Sequence, residues 1–344
     1  MSLKSNLVIQ TAFLGDLILS IPTLMRIKEL FPEDKLVVIC KRGLGEFLIK
    51  EHIADEIIEI DKSNSKSYRV ALLELKKFTI RNIFCLHKST RSLLFAAKIK
   101  AEKKIGFTSI LGFWCFDDLV PYRSEYPEVI RQFAILETID PVTFEQIICK
   151  DYSYLNNSSL AEVPDYFAFR SAAPAKKSGK KIAIFPGSVW ATKKWTTEGF
   201  IQLANLLLNS HYQVELLGGP LEKKLCEEIA EQAEGVKVLA GSLSISETIK
   251  SLAEYDLVIS NDSAPTHMAV YNNIPVITIF GPTTLNQGFR PWSNNAAVIE
   301  NSELLCRPCG KHGHNECPLQ HHYCMKSIQA IIVFNKARSI LNIS

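Results

Sequence analysis

The sequence predicts an α/β protein of two doubly wound parallel-sheet domains, and three observations predict it. Short apolar runs alternate with longer stretches of helical period, the rhythm of βαβ units and so of a parallel sheet with helices on both faces. The rhythm stops once, between Asp151 and Lys180, and restarts at Lys181. The length of 344 residues also exceeds what one core of ~100–200 residues accommodates.

In chain order, strands are expected at Asn6–Gln10, Lys35–Cys40, Ile57–Ile60 and Asn82–Leu86, with a long amphipathic helix starting near Asp16. The pattern then decays through Asn156-Asn157-Ser158-Ser159 into the small, turn-forming stretch from Ser171 to Lys180. This gives a first domain over 1–165, a linker over 166–180, a second domain over 181–325 and a terminal helix within 326–344. Strands of the second domain fall at Lys181–Phe185, Gln213–Leu217, Lys237–Leu239, Leu257–Ser260 and Val276–Phe280. Between the first two, Phe200, Leu203, Ala204, Leu207 and Leu208 recur at helical spacing, a stripe that reads as core. Past Asn301 a Cys/His-rich loop over 306–324 replaces the rhythm, and Ser327–Leu341 reads as one helix.

A net charge of +3, from 39 basic and 36 acidic residues, is too even for a nucleic-acid protein. The apolar stretch Leu7–Met25 carries Asp16 in its middle and Pro22 near its end, which argues against a signal peptide or membrane span. Nine cysteines, an odd number and mostly scattered, fit a reduced cytoplasmic setting.

In open parallel sheets ligands collect at the carboxyl ends of strands. Four such loops are rich in small residues: Pro186-Gly187-Ser188, Gly218-Gly219-Pro220, Asn261-Asp262-Ser263-Ala264-Pro265 and Gly281-Pro282-Thr283-Thr284. There, backbone N–H groups and helix starts can approach a phosphate closely, and Lys193 and Lys194 add charge beside Ser188. The same glycines would serve any tight turn. No G-x-G-x-x-G follows the first strand, no G-x-x-x-x-G-K-[ST] occurs, and neither does a D-x-D triplet. Dehydrogenase, P-loop and metal-dependent sugar-transfer readings weaken, and cations with helix starts become the means of neutralising a leaving diphosphate, with no cofactor or catalytic metal expected.

In the first domain, Thr11-Ala12-Phe13-Leu14-Gly15 leads into Asp16. A carboxylate there is either an ordinary helix-start acid, its pKa lowered by the helix dipole, or a general base acting across an interdomain cleft. Lys41, Arg42, His87, Lys88 and Arg91 follow strands on the same rim and read as cations for an anionic acceptor. His52 and His211 read as ordinary surface residues.

These residues carry a resemblance over nearly the whole chain to glycosyltransferase family 9, the heptosyltransferases of lipopolysaccharide core synthesis. The matching segments are Thr11–Pro22, Phe185–Trp195, Ser260–Ala269 and Ile279–Thr283, in that order. The resemblance implies a GT-B fold, two Rossmann-like domains facing across a cleft, and inverting transfer from ADP-heptose to a lipid A-core acceptor. It also implies a cytoplasmic enzyme in transient contact with the inner membrane. Asp16 would be the base and Lys193 would hold the donor phosphates, with Gly187, Ser188, Lys194, Asp262, Ser263, Ala264 and His267 lining the donor and Glu222 reaching its nucleoside. Lys41, Arg42, Lys88 and Arg91 would face the acceptor. The family's usual glycine is replaced here by Ala264, with Pro265 after it. Another nucleotide sugar such as a UDP-sugar, or a non-catalytic sensor of sugar nucleotides, are the alternatives.

Cys306, Cys309, Cys317 and Cys324, with His312, His314, His321 and His322 interleaved, have spacings that suit structural zinc, a labile disulfide or plain thiols alike.

Overall fold

Each half of the chain forms a six-stranded parallel sheet in the computed structural model, which describes residues 4–148, 150–156, 161–164, 167, 169 and 180–342. The first contains β1 (Lys4–Gln10), β2 (Lys35–Lys41), β3 (Glu56–Ile60), β4 (Thr79–Cys85), β5 (Lys103–Phe107) and β6 (Asp118–Val120), in the order β3-β2-β1-β4-β5-β6. The second contains β7 (Lys181–Phe185), β8 (Gln213–Leu216), β9 (Lys237–Val238), β10 (Leu257–Asn261), β11 (Val276–Phe280) and β12 (Ala296–Glu300), ordered β12-β11-β10-β7-β8-β9. Counted from β7, this is the order of the first sheet again. Both sheets reverse direction of growth beside their first strand, between β1 and β4 and between β7 and β10, the places where open α/β sheets take ligands.

The central strands are apolar and covered on both faces: β10 and β11 are buried along their length, as parallel strands between helix layers must be. The helix Thr197–Asn209 starts on a Thr196 side chain that accepts the Gly199 N–H at 3.0 Å. It buries Phe200, Leu203, Ala204 and Leu207 in the second core as its spacing requires, while Leu208 stays half-buried. The last helix, Ala330–Asn342, packs on it.

Three strands, β5, β6 and β12, were not expected from the apolar pattern. The expected long helix at Asp16 is two helices, Leu14–Leu19 and Ile21–Leu30. The break falls at Ser20, whose hydroxyl donates to the Leu17 carbonyl at 2.6 Å, just before Pro22, which has no N–H to continue the ladder.

The chain divides into units Met1–Tyr154 and Leu155–Ser344, so the boundary lies ahead of the expected residue 165. Polar and apolar contacts both explain the difference. Arg290 donates to the carbonyls of Leu155 and Ala161 at 2.6 and 2.8 Å, Asn294 accepts from the Val163 N–H at 2.7 Å, and the Phe167 ring meets Trp292 edge-on. Backbone without a sheet partner is thereby satisfied by side chains of the second unit. Most of the expected linker 166–180 lies outside the described residues.

Candidate active site

In the first unit the switch point is built by the ends of β1 and β4. Thr11 follows β1 and His87 follows β4, and their side chains are hydrogen-bonded at 2.9 Å, with Ser92 also 2.9 Å from the same imidazole nitrogen. Burial pushes His87 down to about 4, Lys62 acting in the same direction, so this ring is neutral near pH 7. The expectation of a His87 cation is therefore corrected: the ring is a hydrogen-bonding group among hydroxyls.

Asp16 lies in the first turn of Leu14–Leu19 and accepts the Phe13 N–H at 3.2 Å. The expected lowering of its pKa by the helix start is overturned, because its carboxyl is pushed up to about 7. Desolvation is the largest cause; Glu128 raises it further, while the Phe13 N–H and Lys62 pull it down. Magnitudes decide the sign. A helix start favours the anion by ~0.3–1 kcal/mol, whereas holding an aspartic acid near 7 requires ~4 kcal/mol in the opposite sense.

A buried polar chain underlies this turn. The Gln10 amide accepts from the Ala12 N–H at 3.2 Å and donates to Gln132 at 3.1 Å; Gln132 in turn donates to the Asp16 carbonyl at 3.2 Å and to Glu128 at 3.0 Å. Glu128 is also held by Arg131 at 3.2 Å and Tyr122 at 3.3 Å. Sequence reasoning missed Gln132 and Glu128, because nothing local marks residues that reach the first loop from more than a hundred positions away.

The expected acceptor cations are on the rim, and each has a neighbour. Lys41 lies over the Phe13 ring, Arg42 is exposed 3.9 Å from Asp61, and Lys88 stands 3.4 Å over the Tyr122 ring. Arg91 donates to the Lys62 carbonyl and approaches the Tyr68 ring. Lys62, missed in the sequence, lies within electrostatic reach of Lys41, Arg91 and Asp16, and its pKa is lowered first by desolvation and then by the two cations. Its position just after β3 is the signal that would have found it.

In the second unit the loops after β7 and β10 are joined by Asn261. Its amide donates to the carbonyls of Pro186 and Gly187 at 2.9 and 3.2 Å, and its oxygen accepts the Trp195 N–H at 2.9 Å. The next residue, Asp262, accepts from Lys193 and from the Thr283 hydroxyl, each at 2.6 Å. Both charged partners are well buried, with side chains 13% and 5% exposed. Lys193 is therefore oriented, and much of its charge is already balanced. Anion affinity here must draw on N–H groups as well. They are available in kind: Ser188 is buried in the loop after β7, and the helix Ala264–Tyr271 starts at Ser263 with no side-chain cap. Pro265 fits the first turn of that helix, where its missing N–H costs no ladder bond.

Gly187 and Glu222 are brought together. A Cβ on residue 187 would stand 2.2 Å from the Glu222 Cγ, so only glycine leaves room. The Glu222 carboxylate accepts the Gly219 N–H at 2.9 Å. Lys194 ends the short turn that carries Lys193. His267 is buried; desolvation takes it down to about 4 even though Asp262 pulls it up, and its Nδ1 has no hydrogen-bond partner among the described residues.

The Cys/His-rich loop packs against the segments that carry Lys193 and Thr283. Thr192 and His314 exchange backbone and hydroxyl hydrogen bonds at 2.8 to 3.0 Å, His322 Nε2 is hydrogen-bonded to the Thr192 carbonyl at 2.8 Å, and His312 stacks on Trp190. The Cys309 N–H donates to Pro282 and Arg307 donates to Thr283, at 2.7 Å each. Cys306, Cys309, Cys317 and Cys324 are free thiols, and no group of three or more His, Cys, Asp or Glu side chains is placed to hold a metal ion among the described residues.

Comparison with known proteins follows these elements. The sequence model of glycosyltransferase family 9 (heptosyltransferase) matches residues 75–321. The chain is similar to the lipooligosaccharide heptosyltransferase 2 of Campylobacter jejuni, 27% identical over 335 residues that cover 96% of each chain. Among solved structures, a family 9 glycosyl transferase from Veillonella parvula superposes with a TM-score of 0.75 at 20% identity, covering 100% of this chain and 98% of that one. The ADP-heptose lipopolysaccharide heptosyltransferase II of E. coli gives 0.70 at 20% identity, covering 98% of each. These likenesses show the GT-B fold.

Proposed function

We propose, from the premise that the chain belongs to glycosyltransferase family 9, the heptosyltransferases, that it moves a heptose from ADP-heptose to the inner core of lipopolysaccharide with inversion at the anomeric carbon. Asp16 takes the proton of an acceptor hydroxyl as its oxygen bonds to the anomeric carbon; the bond from that carbon to the diphosphate breaks, and ADP departs with the electron pair. Lys193, Ser188 and the N–H groups at the start of Ala264–Tyr271 stabilise the charge that gathers on the departing diphosphate. Asp262 fixes the Lys193 ammonium, Glu222 and Gly187 line the nucleoside side, and Lys194, Ser263 and His267 complete the donor surroundings. Lys41, Arg42, Lys88, Arg91 and Lys62 receive the anionic acceptor.

The observation that carries this reading is the placement of Asp16 in the first turn after β1 at the switch point of its sheet, where its carboxyl accepts the Phe13 N–H at 3.2 Å and is pushed up to about 7 by desolvation. A general base works best with its pKa near the operating pH. The donor is the one in the name of the E. coli heptosyltransferase, and the second-heptose position is the one in the names of that enzyme and the Campylobacter relative. No helix among the described residues is long and apolar enough to cross a membrane, and we place the enzyme on the cytoplasmic face of the inner membrane, in peripheral contact with it. The test is release of ADP by the purified chain from ADP-heptose plus a core acceptor that bears one heptose. Transfer that requires ADP-heptose supports the reading; transfer from a UDP-sugar instead, or saturable binding with no turnover, overturns it.

A further inference from the structure

Beyond the site, one region of the first unit exposes more apolar surface than its fold requires. The segment after β5 makes a short helical turn, Gly112–Cys115, whose two sides are opposite in character. Cys115 and Phe116 are buried with Leu93, Phe95 and Ala96, and Phe116 lies where a Cβ on Gly106 would otherwise stand. On the outside, Ile110 and Trp114 are each 87% exposed, Phe113 is 70% exposed and Leu111 is 40% exposed. The adjoining helix Thr90–Ala97, which packs against this turn, adds Leu94 at 49% exposed. Half of the turn anchors it firmly, and the other half offers large apolar side chains to solvent, an arrangement that marks an interaction surface.

Charge identifies the partner. Residues 86–118 carry six lysines and arginines against three acids, of which Glu102 is paired with Lys4 at 2.7 Å and Asp118 with Lys103 at 2.6 Å, so the segment is basic on balance. Lys98 and Lys100 are exposed at the end of the same helix. Tryptophan and phenylalanine beside a set of lysines suit the boundary between anionic headgroups and acyl chains, where an aromatic ring sits at headgroup depth and each cation adds attraction. A second copy of the chain would meet the same cations with cations of its own.

We infer that the turn bearing Phe113 and Trp114, with Ile110 just before it and the exposed Lys98 and Lys100 at the end of the adjoining helix, seats the protein on an anionic lipid surface. The inference rests on the lipid-linked acceptor proposed above and names the surface that reaches it. The turn leaves the carboxyl end of β5, two strands from the β1 loop that leads to Asp16, or ~10 Å at sheet spacing. Seating it on the membrane would hold the acceptor-binding rim near the bilayer.

Sedimentation of the full chain with vesicles of phosphatidylethanolamine and phosphatidylglycerol tests this, with phosphatidylcholine vesicles alongside. The native chain is expected to partition to the anionic vesicles. Partition should fall at least ~10-fold in the Phe113→Ser/Trp114→Ser variant, and weaken with salt and in Lys98→Glu/Lys100→Glu. The serine variant should release ADP normally with a delipidated core oligosaccharide but lose transfer to acceptor embedded in vesicles. Equal partition of native and variant proteins overturns the inference. So does a dimer, seen by light scattering, that the serine substitutions dissolve while vesicle binding is absent. If neither protein transfers sugar to any acceptor but partition still depends on Phe113 and Trp114, the proposed reaction fails and this surface stands.

Discussion

The two switch points share one topology and differ in how their charged groups are held. Each holds a buried imidazole near 4, His87 in the first unit and His267 in the second, but beside β1 and β4 a carboxyl is also held near 7, with the Lys62 ammonium after β3 lowered. Around β7 and β10 the carboxylate and ammonium are paired, glycine makes room, and Asn261 ties the loops together. A carboxyl poised near neutrality suits proton transfer, and paired charge with close backbone suits binding. On the proposed function the same βαβ frame serves as a reacting half and a holding half, and the loops distinguish them.

Exchanging the properties of the halves should break the comparison, and the largest effect is expected at Asp16. Asp16→Asn should lower kcat by ~10³-fold, with donor affinity by calorimetry unchanged. The folded-state pKa lies above that of the unfolded chain, so the ionised carboxyl detracts from stability increasingly as pH rises from about 4 through about 7. Asp16→Asn should therefore melt higher than the native chain at pH 8 and no higher at pH 4, a gain that a purely structural carboxylate would not give.

Next in size is Lys193→Ala, expected to cost ~10²–10³-fold in kcat/KM by removing one donor from the departing diphosphate, read by steady-state ADP release. Asp262→Ala leaves a well-buried ammonium without its carboxylate and should destabilise the second unit by ~3 kcal/mol, measured by urea unfolding. Gly187→Ala must displace Glu222; ADP affinity by calorimetry should fall ~10-fold with little change in melting temperature, whereas a large stability loss would mean that the glycine serves folding. The smallest effect is sought in Glu128→Gln, which removes the charge that helps raise Asp16. The acid limb of the pH–rate profile should then move to lower pH.

Much of this was legible in the sequence, unevenly and for physical reasons. β7 and β11 were located to the residue because each is a short, mostly apolar run between turn formers. β5 was hidden by Lys103, Lys104 and Gly106, β6 is only three residues long, and β12 lies at a sheet edge with one fully buried position. Lys193 and Asp262 were placed in one site by motif, but their ion pair was not foreseen, since neither loop alone shows where the other's charge falls. The direction of the Asp16 shift was misjudged because a helix start is visible in a sequence and desolvation is not: burial and the approach of Glu128 arise only when the helix Glu128–Phe133 comes up against Leu14–Leu19.

The central claim, that the first half is the reacting half because Asp16 is a base poised near neutrality, is tested most directly by the pH dependence of kcat for heptose transfer between pH 5.5 and 8.5. The account predicts a rate that rises with pH through a single ionisation near 7, and a limb that moves down in Glu128→Gln. A rate flat across that range, or an ionisation that persists unchanged in residual turnover by Asp16→Asn, would contradict it.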